Sequence, residues 1–359
     1  MSSALIKAAC GLCVLVVACS PLIPAKAQTA TSRIVGCANA FLATLDAKQR
    51  QSVVFAFDDE EQRKRWSNFP IAMVPRAGLS LKDLNEGQRA AEMDLLAAVL
   101  SSRGYEKVQE IMQGDDVNKT STGNGPPRGN GGNRPRFGLS GDMFGKDLYY
   151  ISILGTPSET KPWMLQFGGH HLALNITIAG ERGILTPTLT GAQPALYNFN
   201  GKIVRPLGAE SDKALVLLNS LDETQRKQAI LSYQLADLVL GPGQDGKTIQ
   251  PEGLKATAMN ERQRAIMLDV ISEWSGIIHD SAAAARMAEI KSGLNDTWFA
   301  WSGPPTAAPG KNITAYYRIQ GPKLVIEYAP QTLGGDAALH VHTMYRDPTN
   351  DYGRGVIAK

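Results

Sequence analysis

Apolar residues recur at helical spacing in four stretches, roughly 34–66, 83–113, 211–240 and 260–293. Ala90, Met93, Leu95, Leu96 and Val99 illustrate the period, falling on one helix face. Aromatic and β-branched runs bounded by glycine and proline follow each pair of helical stretches. They predict strands over 148–154, 163–167 and 171–178, and again over 313–319, 323–328 and 339–345. Gln320-Gly321-Pro322 is placed to turn a hairpin between two of these. Helices and then strands, twice over, predict an α+β fold rather than an alternating doubly wound sheet.

Four helix starts share one signature: Leu45-Asp-Ala-Lys-Gln-Arg50, Leu84-Asn-Glu-Gly-Gln-Arg89, Leu221-Asp-Glu-Thr-Gln-Arg226 and Met259-Asn-Glu-Arg-Gln-Arg264. Asp or Asn at the cap accepts from a first-turn amide, and Gln three residues on reaches back to the cap. The first pair lies 39 residues apart and the second 38, with offsets of 176 and 175 between pairs. Gly78-Leu79 matches Gly253-Leu254 at 175, Phe137-Gly-Leu-Ser-Gly141 resembles Phe299-Ala-Trp-Ser-Gly303 at 162, and Tyr149-Tyr150 matches Tyr316-Tyr317 at 167. The shortened offset has a visible source in residues 121–135, rich in Gly, Asn and Pro, which read as a mobile surface insertion. This order predicts an internal duplication. Residues 28–205 and 206–359 would be two similar halves packed as one unit, each with N-terminal helices followed by antiparallel strands.

Residues 1–27 read as a signal peptide. Lys7 is the basic start, residues 8–23 are almost wholly apolar, and Ala25-Lys26-Ala27 is a small-x-small cleavage site. The alternative is a lipobox at Val16-Val17-Ala18-Cys19, which would leave Cys19 lipidated. Either predicts an exported protein, periplasmic or extracellular. Cys10, Cys13 and Cys19 fall in the leader, so cleavage leaves Cys37 alone and no internal disulfide. Losing Lys7 and Lys26 takes the formal charge from +3 to +1. No basic patch interleaves with aromatics, which argues against nucleic acid as a partner. No second long apolar run follows, so no transmembrane segment is expected in the mature chain.

Candidate chemistry centres on histidine. The chain has five, and four lie in two tight clusters, His170-His171 and His340-x-His342. Alternate strand residues share a face, so His340 and His342 should point the same way. Adjacent His170 and His171 would point oppositely unless the Gly168-Gly169 break re-aims one. If a pseudo-twofold axis relates the halves, the clusters are expected to meet near it, opposite each other at about 170 residues. Three or four neutral imidazoles, with Glu327 as a candidate carboxylate, would suit zinc, copper or iron. A metal-free acid–base site and backbone-bonded structural histidines are the alternatives. Arg346 and Asp347 form either a catalytic or anion-gripping pair or a C-terminal salt bridge. Ser140 and Ser158 lack the elbow of a hydrolase nucleophile. Trp298, Phe299 and Trp301 read as core before pocket, Asp58–Glu61 reads as a solvated helix face, and Asp280 reads as a helix cap.

Phe167-Gly-Gly-His-His-Leu-Ala-Leu-Asn175, the run from Tyr316 to Gln331 and His342-Thr-Met-Tyr-Arg-Asp-Pro-Thr-Asn-Asp-Tyr-Gly353 resemble the family called domain of unknown function 3500. The likeness spans nearly the whole mature chain. It implies export, and it carries over no activity, cofactor or catalytic residue. The residues themselves point to a hydrolase-like enzyme whose histidines act as metal ligands or as general acid/base on a small or oligomeric extracellular substrate. The alternative is a periplasmic or envelope protein that binds a metal or anionic ligand without turnover.

Overall fold

The computed structural model describes residues 29–123, 143–333 and 335–357. The leader, Cys19, Ser140 and residues 124–135 of the glycine-rich insertion lie outside the described residues. The insertion's first three residues, 121–123, continue a helix instead.

Local chemistry sets the helix starts. The first part of the chain forms α1 (Ala30–Ala43), α2 (Ala47–Val53), β1 (Val54–Phe55), α3 (Glu60–Arg63), β2 (Leu79–Ser80), α4 (Glu86–Val99) and α5 (Ser102–Gly123). Asp46 caps α2 and Asn85 caps α4, each in a reciprocal capping box with Gln49 or Gln88. Those two glutamines also bond each other at 2.8 Å. Strands β3 (Tyr150–Leu154), β4 (Trp163–Gly168), β5 (Leu172–Ala179) and β6 (Arg182–Ala192) follow, with the small hairpin β7 (Tyr197–Phe199) and β8 (Lys202–Val204). Then come α6 (Gly208–Ser220), α7 (Glu223–Ala229), β9 (Leu254–Lys255), α8 (Glu261–Ser275) and α9 (Asp280–Ser292). Asp222 and Asn260 cap α7 and α8 through Gln225 and Gln263, which again bond each other at 2.8 Å. Strands β10 (Trp298–Ser302), β11 (Tyr316–Gly321), β12 (Leu324–Pro330) and β13 (Val341–Arg346) precede a short α10 (Arg354–Ile357).

One mixed sheet joins these parts, and the fold is α+β. Its order is β1-β3-β4-β5-β6-β13-β12-β11-β10-β9, with β2 also on β3. Pairing is antiparallel except for β1 on β3. The centre is the β6–β13 ladder, where Val341 faces Ala192 and His342 faces Gly191. Helices cover one face: Ile151, Phe167 and Leu174 pack with α1, α4 and α5, while Phe299, Tyr317 and Tyr345 pack with α6 and α8. The opposite face is covered by connecting segments, with Trp66 against Ala173, Leu189 and Met344.

Three expectations change. β6 was not foreseen, because Pro187 in its middle reads as a strand breaker. The sheet accommodates it at a register shift between Leu174 and Ile176, where Asn175 Nδ2 donates to Pro187 O at 2.8 Å. Tyr149 and Tyr316 do not match in position: Tyr149 precedes β3, whereas Tyr316 opens β11, one strand further in. Asp280 is the first residue of α9 and His279 occupies the cap position, its Nδ1 3.0 Å from Ser281 Oγ. Trp301 and Phe299 are fully buried, as a core role requires.

Candidate metal centre

The two histidine clusters meet at one end of the central ladder. His170 and His171 are not strand residues. They occupy the tight turn between β4 and β5, closed by Gly169 N donating to Leu172 O at 2.9 Å. A Cβ on Gly168 would lie 2.2 Å from Leu172 O, so only glycine permits this closure. His171 O accepts from Gly191 N at 2.7 Å, which ties the turn to β6. His342, on β13, pairs with Gly191 of β6, and His340 immediately precedes β13. A Cβ on Gly191 would sit 3.0 Å from His342 Cδ2 and 3.1 Å from His171 Cδ2. Glycine there lets both rings close over the ladder.

The rings converge. His340 Nε2 and His342 Nε2 are 3.1 Å apart. The His171 ring centroid lies 5.5 Å from that of His340 and 5.6 Å from that of His342. His171, His340 and His342 each present a ligand atom within 4.8 Å of the others. The His170 ring lies 3.9 Å from that of His171, tilted by 31°, and 5.1 Å from that of Phe144.

Each Nδ1 of the three converging rings already has a partner. His171 Nδ1 meets Asp115 Oδ1 at 2.5 Å, and Asp115 Oδ2 accepts from Tyr149 Oη at 2.8 Å. His340 Nδ1 faces Leu333 O at 2.7 Å, and His342 Nδ1 faces the Asn68 amide nitrogen at 3.2 Å. A carbonyl acceptor fixes the proton of His340 on Nδ1 and leaves its Nε2 lone pair free. The carboxylate does the same for His171, whose buried Nε2 has no partner. With Asn68 donating, His342 carries its proton on Nε2 and gives it to His340. Turning the Asn68 amide over presents oxygen and frees the third lone pair without changing any heavy-atom position.

Burial sets the protonation. His170, His171 and His342 are pushed well below the usual histidine range and His340 is lowered. Desolvation leads in each case, and a neighbouring imidazole adds to it for the first three. All four are therefore neutral at pH 7 and competent as ligands. Burial pushes Asp115 up to about 6, against the pull of His170 and the Tyr149 hydroxyl.

The carboxylate and the Arg–Asp pair expected at the site stand elsewhere. Glu327 does not join the cluster: it accepts from Val239 N at 2.7 Å, Leu240 N at 2.8 Å and Tyr316 Oη at 2.7 Å. Arg346 is four residues along β13 from His342, roughly 13 Å at about 3.3 Å per residue. Its guanidinium serves Leu240 O, Gly241 O, Asp245 and Asp351. Asp347 pairs with Arg286 at 2.8 Å. Ser158 is on an exposed turn bonded to Lys161 N. In place of Glu327 the site has Asp115, which sequence reasoning missed. Val108, Ile111 and Met112 lie on the buried face of α5, and Asp115 continues that stripe as a charged residue at an apolar position. Asn68 and Arg76 were also missed. Arg76 Nη2 donates to Ser67 O, Phe69 O and Gly169 O, fastening the segment that carries Asn68 to the histidine turn.

The family described as "Protein of unknown function (DUF3500)" matches residues 27–354, and the chain belongs to it. No curated protein and no solved structure matches. Among the described residues, no helix is long and apolar enough to cross a membrane.

Proposed function

With that family as the premise, we propose that the protein holds one divalent transition metal on Nε2 of His171, His340 and His342 and works as a hydrolase-like enzyme. The carrying observation is that three buried imidazoles converge while the far nitrogen of each is engaged. Metal-binding histidines almost always have such a partner on the other ring nitrogen. Nitrogens about 2.0–2.1 Å from a tetrahedral zinc are roughly 3.3 Å apart. The 3.1 Å between His340 and His342 is close to that spacing. Three neutral ligands leave the ion's charge undiminished and a fourth position for water, whose pKa in such sites falls to about 7. Zinc fits this donor set directly; copper and iron also accept imidazole.

The second reading is capture of a metal or anionic ligand without turnover. It is favoured by the enclosure of the rings, none of which exceeds 9% exposure. Metal analysis of untagged protein is the first test. Near-stoichiometric metal that is lost in His340→Ala supports both readings, and no uptake under any loading condition sinks both. Metal-loaded protein is then assayed on esters, glycosides and peptides. Turnover supports the enzyme, and retained metal with none supports capture.

We also infer that the two halves descend from a duplication. Support comes from the paired capping boxes and from mutually bonded glutamines in each half. Gly78 and Gly253 take the same left-handed backbone, at φ 99° and 93°. An experimental structure in which α4 and β3–β6 fail to overlay on α8 and β10–β13 would remove the inference. Export follows from the leader, and the first residue of the recovered protein tests it: Gln28 supports cleavage and lipidated Cys19 supports anchoring.

A further inference from the structure

The histidine cluster contains a second set of donors that the single-metal reading leaves unused. Asp115, His170 and His171 also present ligand atoms within 4.8 Å of one another. His170 Nδ1 is buried and has no hydrogen-bond partner. Asp115 is buried with one oxygen fixed by the Tyr149 hydroxyl and the other turned to His171. The hydrogen bonds of this carboxylate go to the His171 ring and the Tyr149 hydroxyl. A buried carboxylate beside two imidazoles, one of them with an unpartnered Nδ1, is a set of donors suited to a metal cation.

We propose a second metal position on Nδ1 of His170, Nδ1 of His171 and a carboxylate oxygen of Asp115, so that the His171 ring bridges two divalent ions. The proposal rests on the first ion being held by His171, His340 and His342. The second ion takes the place of the proton that His171 Nδ1 shares with Asp115. That proton leaves to solvent, and the ring becomes an imidazolate between two cations. Nitrogen–metal bonds form at His170 and His171, an oxygen–metal bond forms at Asp115, and one N–H bond breaks. No electron is transferred. The first ion withdraws density from the ring through Nε2 and so eases loss of the Nδ1 proton. The two ions therefore load in order. The class of ligand is a pair of imidazole-seeking transition ions, copper and zinc foremost.

Equilibrium dialysis of untagged, chelator-stripped protein against zinc, with metal counted per chain, is the test. Two ions per chain are expected in the wild type. His170→Ala should keep the first ion at unchanged affinity and lose the second, and His170→Gln checks this in a side chain nearer the native volume. Circular dichroism confirms that each variant is folded. A single ion in wild type at saturation overturns the second position and leaves the first intact. Weaker binding of a single ion in the His170 variants means that His170 is a fourth ligand of one metal, which also overturns it. Two ions retained without His170 place the second ion elsewhere. No ion at all removes the single-metal reading as well. Copper(II) gives an independent signature, because ions sharing an imidazolate are exchange-coupled. Adding the second equivalent should lower the electron-spin-resonance signal per copper, and an undiminished signal overturns the bridge.

Discussion

The two ends of β13 carry buried polar side chains of opposite character. At its start, His340 and His342 sit with His171 around Nε2 atoms that point at one another and at no other acceptor or donor. At its end, Arg346 and Asp347 spend their polar atoms on fixed partners: Asp245, Asp351, two carbonyls, Arg286 and Thr349. A cavity of about 360 Å³ even opens beside Asp347, Arg286 and Tyr345. Yet Arg286 is already bonded to Asp347, Glu289 and Tyr345 Oη. Burial alone therefore does not separate structural from functional polarity. Nitrogens that converge on one another, with one of them left without any partner, do.

The comparison breaks first at the saturated end. Arg346→Met strips charge from a buried network and leaves Asp245 and Asp351 facing each other without a cation. Removing one partner of a buried pair costs about 3–5 kcal/mol. Glu327→Leu should cost a similar amount, since it orphans two amides and a hydroxyl at about 1–3 kcal/mol each. The midpoint of urea unfolding reads both, and neither should change metal content per folded chain. A loss of metal with intact stability would place these residues in the site after all.

A buried group can also be unmet without converging on anything. Glu92 on α4 is fully buried, and neither of its oxygens has a hydrogen-bond partner. Burial pushes it up to about 8, from 4.5. The folded state thus binds this proton more tightly than the unfolded state does. Its favourable contribution is complete below about pH 4.5 and is lost as pH rises through about 8. At about 1.4 kcal/mol per tenfold, the loss amounts to a few kcal/mol. Glu92→Met, which installs the residue found 175 positions on at Met267, should raise stability at pH 8 and flatten this slope. An unaltered pH profile would show that Glu92 finds a partner in solution.

At the unsaturated end, the expected effect is on ligand-linked stability. Zinc at a hundred times its Kd should stabilise the wild type by about 2.7 kcal/mol. His340→Ala removes one of three ligands, so its thermal midpoint should not respond to zinc. The metal-free proteins should differ by only about 2 kcal/mol, at about 1 kcal/mol for each of the two hydrogen bonds that His340 makes, to Leu333 O and to His342 Nε2. A large loss of stability without metal would class His340 with Arg346.

How much of this was legible depended on distance along the chain. The capped helix starts were readable because each motif closes within three residues, and Asp46, Asn85, Asp222 and Asn260 all cap as expected. The meeting of the histidine clusters was anticipated for the wrong reason. They are not equivalent positions about an axis: one is a β4–β5 turn, the other the start of β13. They meet because β13 lies against β6 and His171 binds β6 at Gly191. Glu327 and Arg346 were misplaced because strand alternation gives a face but says nothing of the segment at Val239–Asp245 that packs there. Asp115 and Asn68 reach the site only through tertiary contacts, and nothing beside them in sequence points to histidine.

Asp115→Asn separates the two ends most finely. Asparagine keeps an oxygen for His171 Nδ1–H and turns its nitrogen to Tyr149 Oη, so the geometry is retained while the charge is lost. A carboxylate behind a ligating histidine raises the basicity of the ring, and its removal costs about 10–100-fold in metal affinity. The first zinc should therefore bind more weakly by that factor, read by competition with a chromogenic chelator. The metal-free variant should unfold at no lower a urea concentration than wild type. Asp115 pays a desolvation cost that pushes it up to about 6, and the neutral amide avoids it. Weaker binding with unimpaired stability puts Asp115 behind a metal ligand. The reverse pattern, unchanged affinity with a lowered unfolding midpoint, would make the Asp115–His171 pair one more saturated structural contact.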